Sequence, residues 1–139
     1  MEQMLDAYAA AVRAKDVDAF VGLYADDVRT FDLWSVWAYD GKSAFREMVA
    51  DWFGSLGDDV VAVEHDDVRV QPGEDVAGLS AFLTYRALSP EGEELRSMNN
   101  RLTWILRRDG DGPWKIAHEH TSAPAGEGGK VELRRELAS

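Results

Sequence analysis

The pattern of hydrophobic residues changes once along this chain, and the change falls at Gly57. Before Gly57, apolar residues recur at the three- and four-residue spacing that is typical of amphipathic helices. After it, long extended segments alternate with turn sequences rich in Pro, Gly and Asp. Helices followed by a run of strands predict an α+β domain, in which the helices pack on one curved antiparallel sheet.

Three helices are predicted before Gly57. The first is amphipathic and ends near Lys15, and Asp16 is expected to cap a short second helix because its carboxylate can accept from free N–H groups. A short extended piece is predicted over residues 28–32. Ser43 is the predicted N-cap of the third helix, whose apolar stripe keeps helical spacing at Phe45, Met48, Val49, Trp52, Phe53 and Leu56.

Four long strands are predicted after Gly57, over residues 60–70, 76–88, 95–108 and 114–122. Their short connections predict an antiparallel meander. A single sheet that buries the stripes of three helices has to curl around them, and this curvature leaves a pocket at its open end. We therefore predict one domain over residues 1–124, followed by a charged tail over residues 125–139 that is either mobile or forms a short docked helix.

Composition narrows the possible functions. The chain of 139 residues has no cysteine, which excludes a disulfide framework, a thiol nucleophile and a thiolate metal site. Its net charge of −11 disfavours nucleic acid and anionic membranes as partners, because both would be repelled. No apolar run approaches the about 20 residues that span a bilayer, and residues 1–4 lack the features of a signal peptide. We expect a cytoplasmic protein.

The last predicted strand carries two of the three histidines. Strict two-residue alternation places one set of side chains on the face that lines the pocket, namely Trp114, Ile116, His118, His120 and Ser122. The opposite face then holds Lys115, Ala117, Glu119 and Thr121. The first face begins apolar and ends polar, as the wall of a half-closed binding cavity requires.

The order and spacing of several short segments resemble the nuclear-transport-factor-two-like superfamily, and within it the SnoaL-like and ketosteroid-isomerase-like branch. The segments are residues 8–11, 15–18, 24–28, 41–47 and 114–124, together with Asp32. The resemblance implies a cone-shaped α+β barrel with a cystatin-like fold that forms a homodimer. It also implies an apolar pocket for a small hydrophobic ligand of polyketide-like, steroid-like or aromatic type, and cofactor-free acid–base chemistry such as isomerisation, cyclisation or dehydration.

The same resemblance implies roles for particular residues. Tyr8 falls where ketosteroid isomerase has an oxyanion-stabilising tyrosine, and Asp32 falls where that enzyme has its proton-transferring aspartate. The isomerase also uses a second, neutral carboxyl group, and the matching strand segment here, residues 101–104, has no acid. Two plainer interpretations stay open, since Asp32 could be a solvated loop residue and Tyr8 could belong to the core.

A second relative by resemblance is the association domain of calcium/calmodulin-dependent protein kinase type II, in residues 107–110 and 118–124. Arg86 matches one of the arginines that line the pocket of that domain, whereas the other two positions are Thr103 and Thr121. This similarity favours an alternative function, a non-catalytic module for ligand binding or homo-association.

The histidines allow two interpretations. His118 and His120 either bond a ligand and relay a proton, or serve as structural residues near a dimer contact. We predict no metal site, because no third ligand accompanies them at a suitable spacing. The further candidates for ligand binding are Tyr24, Trp34, Trp37, Arg86, Asn99, Arg101 and Glu119, with Trp34 and Trp37 expected to cap the pocket mouth.

Overall fold

The computed structural model describes residues 1–34 and 36–135. The helices are α1 (Gln3–Ala14), α2 (Val17–Val21) and α3 (Lys42–Ser55). The strands are β1 (Tyr24–Phe31), β2 (Tyr39–Asp40), β3 (Val60–Gln71), β4 (Val76–Leu88), β5 (Glu94–Arg107) and β6 (Lys115–Ser122). The predicted α+β class is confirmed.

All six strands form one sheet in the order β2-β1-β6-β5-β4-β3. Strands β3 to β6 pair antiparallel with their neighbours in the predicted meander. Strand β1 pairs parallel with β6, and β2 pairs antiparallel with β1. The prediction recognised only the end of β1, because the adjacent exposed residues Asp26 and Asp27 interrupt its alternation and its pairing with β6 shifts register in that region.

The helix boundaries follow from local capping. Lys15 closes α1 in the left-handed conformation (φ 54°), and the Asp16 carboxylate accepts from the Ala19 N–H at 3.0 Å, as predicted. The prediction of Ser43 as the N-cap of α3 is wrong. Helix α3 begins at Lys42, and its N-cap is Gly41, whose φ of 88° is easily reached only by glycine.

The core lies between the helices and the concave face of the sheet. At its centre the Phe20 ring lies 4.8 Å from the Tyr8 ring and 5.7 Å from the Phe53 ring, measured between centroids. Further rings surround Phe20 at 5.5 to 6.1 Å, namely Tyr24, Phe45 and Trp52. This aromatic cluster joins all three helices to β1, and so holds the helical layer on the sheet.

A β-bulge in β6 overturns the predicted faces of this strand. Leu106 of β5 lies opposite Ile116, and Ile105 lies opposite His118, so Ala117 is an extra residue without its own partner. Side chains beyond a bulge move to the other face of the strand. Glu119 and Thr121 are therefore buried on the concave face, whereas His118 and His120 lie on the convex face.

Residues beyond β6 fold back onto β5. The Asn99 N–H donates to the Leu133 carbonyl at 2.7 Å, and the Arg135 N–H donates to the Asn99 side chain at 2.8 Å. The Arg135 guanidinium also pairs with Asp66 at 2.6 Å. This part of the predicted tail is thus docked and contains a short 3-10 turn at Glu127–Gly129, while the rest of it, residues 136–139, lies outside the described residues.

Within residues 1–34 and 36–135, no helix has both the length and the apolar character needed to cross a membrane.

Candidate functional site

A cavity of about 640 Å³ opens between the helices and the concave face of the sheet. Its volume lies within the range of roughly 300–1,000 Å³ that is usual for small-molecule sites. The walls are mostly apolar and include Phe20, Phe45, Met48, Trp52, Val61 and Met98. Two carboxyl groups and a hydrogen-bonded pair of phenols lie among these apolar side chains, together with Tyr39, Arg96 and a few small polar residues. The cavity therefore combines a mostly apolar wall with a few polar groups.

The phenols belong to Tyr8 on α1 and Tyr85 on β4, and their hydroxyl oxygens are 2.8 Å apart. Burial raises the pKa of both groups above that of an exposed tyrosine, so both stay protonated at neutral pH. One hydroxyl donates to the other, which leaves one proton of the pair for a further partner. The pair is therefore a hydrogen-bond donor placed on the cavity wall.

Glu119 supplies a buried carboxyl group from β6. Its Oε1 accepts from the Tyr24 hydroxyl at 2.7 Å and from Trp104 Nε1 at 2.9 Å. Burial raises the pKa of Glu119, the bonds from Trp104 and Tyr24 oppose this, and the nearby Asp32 raises it further. Its Oε2 has no hydrogen-bond partner in the described part of the chain. Glu119 thus presents one free oxygen from a rigidly held carboxyl group.

Asp32 follows the last residue of β1 and borders the same cavity. Its Oδ1 accepts from the Trp34 N–H at 3.0 Å, which fixes the start of the following loop. Partial burial raises the pKa of Asp32, and the bond from Trp34 partly opposes this shift. A carboxylate that is half desolvated and only partly bonded is a stronger base than an exposed one.

The sequence-based prediction misses one residue of this site and assigns a second to the wrong face of its strand. Tyr85 was not singled out, although it continues the concave-face alternation of Leu79, Ala81 and Leu83 and could have been found from that pattern. Glu119 was a ligand-binding candidate but was assigned to the other face, because the bulge at Ala117 was not foreseen. Strand β6 thus places a second carboxyl group, that of Glu119, on the cavity wall.

Several predicted ligand-binding residues lie elsewhere. Arg86 points to the convex face, where it pairs with Glu64 and Glu94 at 3.0 and 2.6 Å. Arg101 is exposed and donates to Ser122 at 3.1 Å. Asn99 donates to Thr84, and Tyr24 lies fully buried behind Glu119 rather than on the cavity wall. The placement of Arg86, Asn99 and Arg101 at the pocket is thus corrected by their outward orientation.

The histidines and the loop tryptophans are divided between two places. His118 donates to the Arg29 carbonyl at 2.7 Å, and His120 is exposed, so neither imidazole borders the cavity. Trp34 does border it, as predicted for a residue at the mouth. Trp37 is 95% exposed and does not cap the cavity, because the loop directs it to the convex side.

Replacing Glu119 by Gln is expected to change the pH dependence of folding stability. A raised pKa in the folded state means that the native protein binds this proton more tightly, so stability falls as pH rises from the unfolded-state pKa through the folded-state pKa. Gln keeps the acceptor for Tyr24 and Trp104 without the charge. The free energy of unfolding of Glu119→Gln, relative to wild type, should therefore increase as the pH rises from about 4, near the unfolded-state pKa of Glu, through the raised folded-state pKa of Glu119.

Urea denaturation at several pH values measures this trend. Glu47→Gln, which removes an exposed carboxyl group on α3, is the matched control for the loss of one formal charge. If the free energy of unfolding of Glu119→Gln, relative to wild type, changes with pH no more than that of Glu47→Gln, then burial does not disfavour the charged form of Glu119.

The fold and the chain sequence agree with one group of known proteins. The SnoaL-like domain profile matches residues 1–126, and the chain therefore belongs to the SnoaL-like family of the nuclear-transport-factor-two-like superfamily. No curated protein matches the chain significantly.

Solved structures show the same architecture. A nuclear-transport-factor-two-like protein of unknown function from Pseudomonas putida KT2440 is 28% identical, with a TM-score of 0.81 over 98% of this chain and 93% of that one. A protein from Xanthomonas campestris, named as a candidate calcium/calmodulin dependent protein kinase II association domain, is 18% identical, with a TM-score of 0.73 over 88% and 84% of the two chains. A cystatin-like nuclear-transport-factor-two-like protein from Novosphingobium aromaticivorans is 16% identical, with a TM-score of 0.73 over 91% and 80%.

Proposed function

We propose that the protein binds a small hydrophobic molecule in this cavity and catalyses cofactor-free proton transfer on it, as an isomerase, cyclase or dehydratase. The observation that carries the proposal is that three side chains from separate elements line one mostly apolar cavity. They are Tyr8 on α1, Asp32 at the end of β1 and Glu119 on β6. An apolar site strengthens the interaction of each polar group with a reacting atom, because little water competes.

In the proposed reaction Asp32 removes a proton from carbon next to a carbonyl group. The electron pair of the broken C–H bond moves into the carbonyl, and negative charge develops on its oxygen. The Tyr8–Tyr85 pair donates to that oxygen, which stabilises the enolate. The Asp32 carboxyl group then returns the proton to the same carbon or to a conjugated one, and return to the conjugated carbon gives isomerisation.

Glu119 has a separate role in this proposal. Burial favours its neutral form, and a neutral carboxyl group can donate a proton to a second oxygen of the substrate. Donation to a departing hydroxyl group releases water, which turns the same proton abstraction into a dehydration. A site with one ionised and one neutral carboxyl group therefore supports both isomerisation and elimination.

The proposed assembly is a homodimer formed through the convex face of the sheet. What supports it is membership of a superfamily whose members often dimerise, and the convex face is the side of the sheet opposite the helices, with Ile105 44% exposed there on β5. The alternative of a non-catalytic association module would use the same face.

The proposal is tested by following deuterium incorporation into 2-tetralone in D₂O by proton NMR. This bicyclic ketone suits an apolar cavity of this size. A C1 hydrogen of the ketone is replaced by deuterium from the solvent once a base has removed it. We expect exchange above the buffer rate, and Tyr8→Phe should slow it by about 100- to 1,000-fold, as for the loss of one oxyanion donor.

Ser80→Ala, which removes an exposed hydroxyl group on the convex face, is the control and should keep the wild-type rate. Equal exchange rates in Tyr8→Phe and wild type would exclude Tyr8 as the donor.

A further inference from the structure

A second concavity of about 660 Å³ lies beside the cavity, on the outer side of the loop that follows β1. Phe31 forms its floor, and Trp34, Val36 and Trp37 form its apolar wall. Arg29 and His120 border it as the polar side chains on β1 and β6. Asp32 and Ala38 complete its border. We call this concavity, defined by these eight residues, the distal groove.

The wall of the distal groove is unusually exposed for its composition. Trp37 is 95% exposed, Trp34 56% and Val36 45%. A single exposed apolar residue needs no explanation, whereas adjoining exposed aromatic side chains around a concavity mark a binding surface. The groove is thus an aromatic surface that the described part of the chain leaves uncovered.

The distal groove and the cavity share part of their walls. Asp32 and Trp34 border both spaces. The hydrogen bond from the Trp34 N–H to the Asp32 carboxylate, at 3.0 Å, fixes the start of the loop that lies between the two spaces. A molecule that lies beside Asp32 and is longer than the cavity can therefore extend past Trp34 into the groove.

The polar border of the groove indicates which chemical group it receives. The Arg29 guanidinium lies 4.9 Å from the centroid of the Phe31 ring and pairs with Asp40 at 3.1 Å. Both partners of that pair are more than half exposed, so the pair contributes little and can open for a ligand. The His120 ring lies 5.5 Å from the Phe31 ring, on the same floor. Arg29 and His120 are both donors, which suits a carboxylate or another acceptor.

We propose that the distal groove is a subsite for the outer part of the substrate, and that the substrate is an elongated aromatic molecule with an acceptor group at its outer end. This inference rests on the proposed function, because it assumes that the reacting end of the same molecule lies beside Tyr8 and Asp32. The outer ring stacks on Trp37, and the acceptor group bonds to Arg29 and His120.

The test compares two phenols by isothermal titration calorimetry. The short probe, 2-naphthol, resembles the enol of 2-tetralone and fits the cavity alone. The long probe, 6-(4-carboxyphenyl)-2-naphthol, adds a ring and a carboxylate that reach the groove. Trp37→Ala should weaken the long probe about tenfold through the loss of one aromatic contact, and should leave the short probe unchanged.

Val76→Ala removes an exposed apolar side chain at the start of β4, which is not part of the groove, and should affect neither probe. Equal affinity of Trp37→Ala and wild type for the long probe would overturn the subsite, as would a wild-type dimer that Trp37→Ala converts to monomers in sedimentation velocity. Failure of both probes to bind wild type would instead reject the proposed function itself.

Discussion

Replacing Asp32 by Asn should lower the rate of 2-tetralone deuteration by about 100- to 10,000-fold, the range expected for the loss of a general base. Asn occupies the same volume and still accepts from the Trp34 N–H, so the loop conformation is retained. It cannot take a proton from carbon at neutral pH. The expected loss is therefore in turnover, with the affinity for 2-naphthol and the melting temperature close to wild type.

Asp51→Asn is the matched control, because it removes an exposed carboxyl group on α3 away from the cavity. Its exchange rate should equal that of wild type. A wild-type rate in Asp32→Asn would remove Asp32 from the mechanism, and it would leave Glu119 as the carboxyl group to be tested as base.

Replacing Phe20 by Ala should lower the free energy of unfolding by about 3–5 kcal/mol, as for other buried aromatic deletions. The Phe20 ring is buried and lies within 6.1 Å of five other aromatic rings, so its removal leaves a cavity that these rings cannot fill. The free energy of unfolding of a small domain is only about 5–15 kcal/mol in total, so this change is a large fraction of the stability. Urea denaturation measures it directly.

Trp37→Ala is the control for the removal of an aromatic side chain that is not packed. Because Trp37 is 95% exposed, its loss should change the unfolding free energy by no more than about 0.5 kcal/mol. A similar change in Phe20→Ala and Trp37→Ala would show that the aromatic cluster does not hold the helices on the sheet.

The fold was predictable to the extent that one face of each element is buried. The apolar stripe of α3 keeps helical spacing and the long segments of the meander end at clear turn sequences, so the positions of these elements in the chain were predicted correctly. Strand β1 was recognised only at its end, because Asp26 and Asp27 are both exposed and break the alternation. Register in that strand is set by pairing with β6, which lies more than 80 residues away in the chain.

The site was predictable only in part, for a local reason. Tyr8 and Asp32 were identified through the resemblance to a known family, and the structure places both on the cavity wall. The faces of β6 depend on Ala117, whose small side chain fits either face and gives no hydrophobic signal for the bulge. One extra residue there exchanges His118 and His120 for Glu119 and Thr121 on the concave face.

That exchange changes the expected chemistry. Two imidazoles on the wall would have favoured a proton relay. The structure instead provides a carboxyl group held by Tyr24 and Trp104, with a pKa raised by burial, facing the same space as Asp32. Two carboxyl groups in unequal surroundings suit paired acid and base roles.

The most direct test of this account is the deuteration rate of 2-tetralone by the wild-type protein in D₂O, at ketone concentrations where calorimetry shows that the ketone is bound. We expect a rate that rises in proportion to protein concentration and is suppressed by 2-naphthol, because both compounds occupy the cavity beside Tyr8 and Asp32. Bound ketone that exchanges no faster than in buffer would contradict it, and the cavity would then be a binding site without acid–base catalysis.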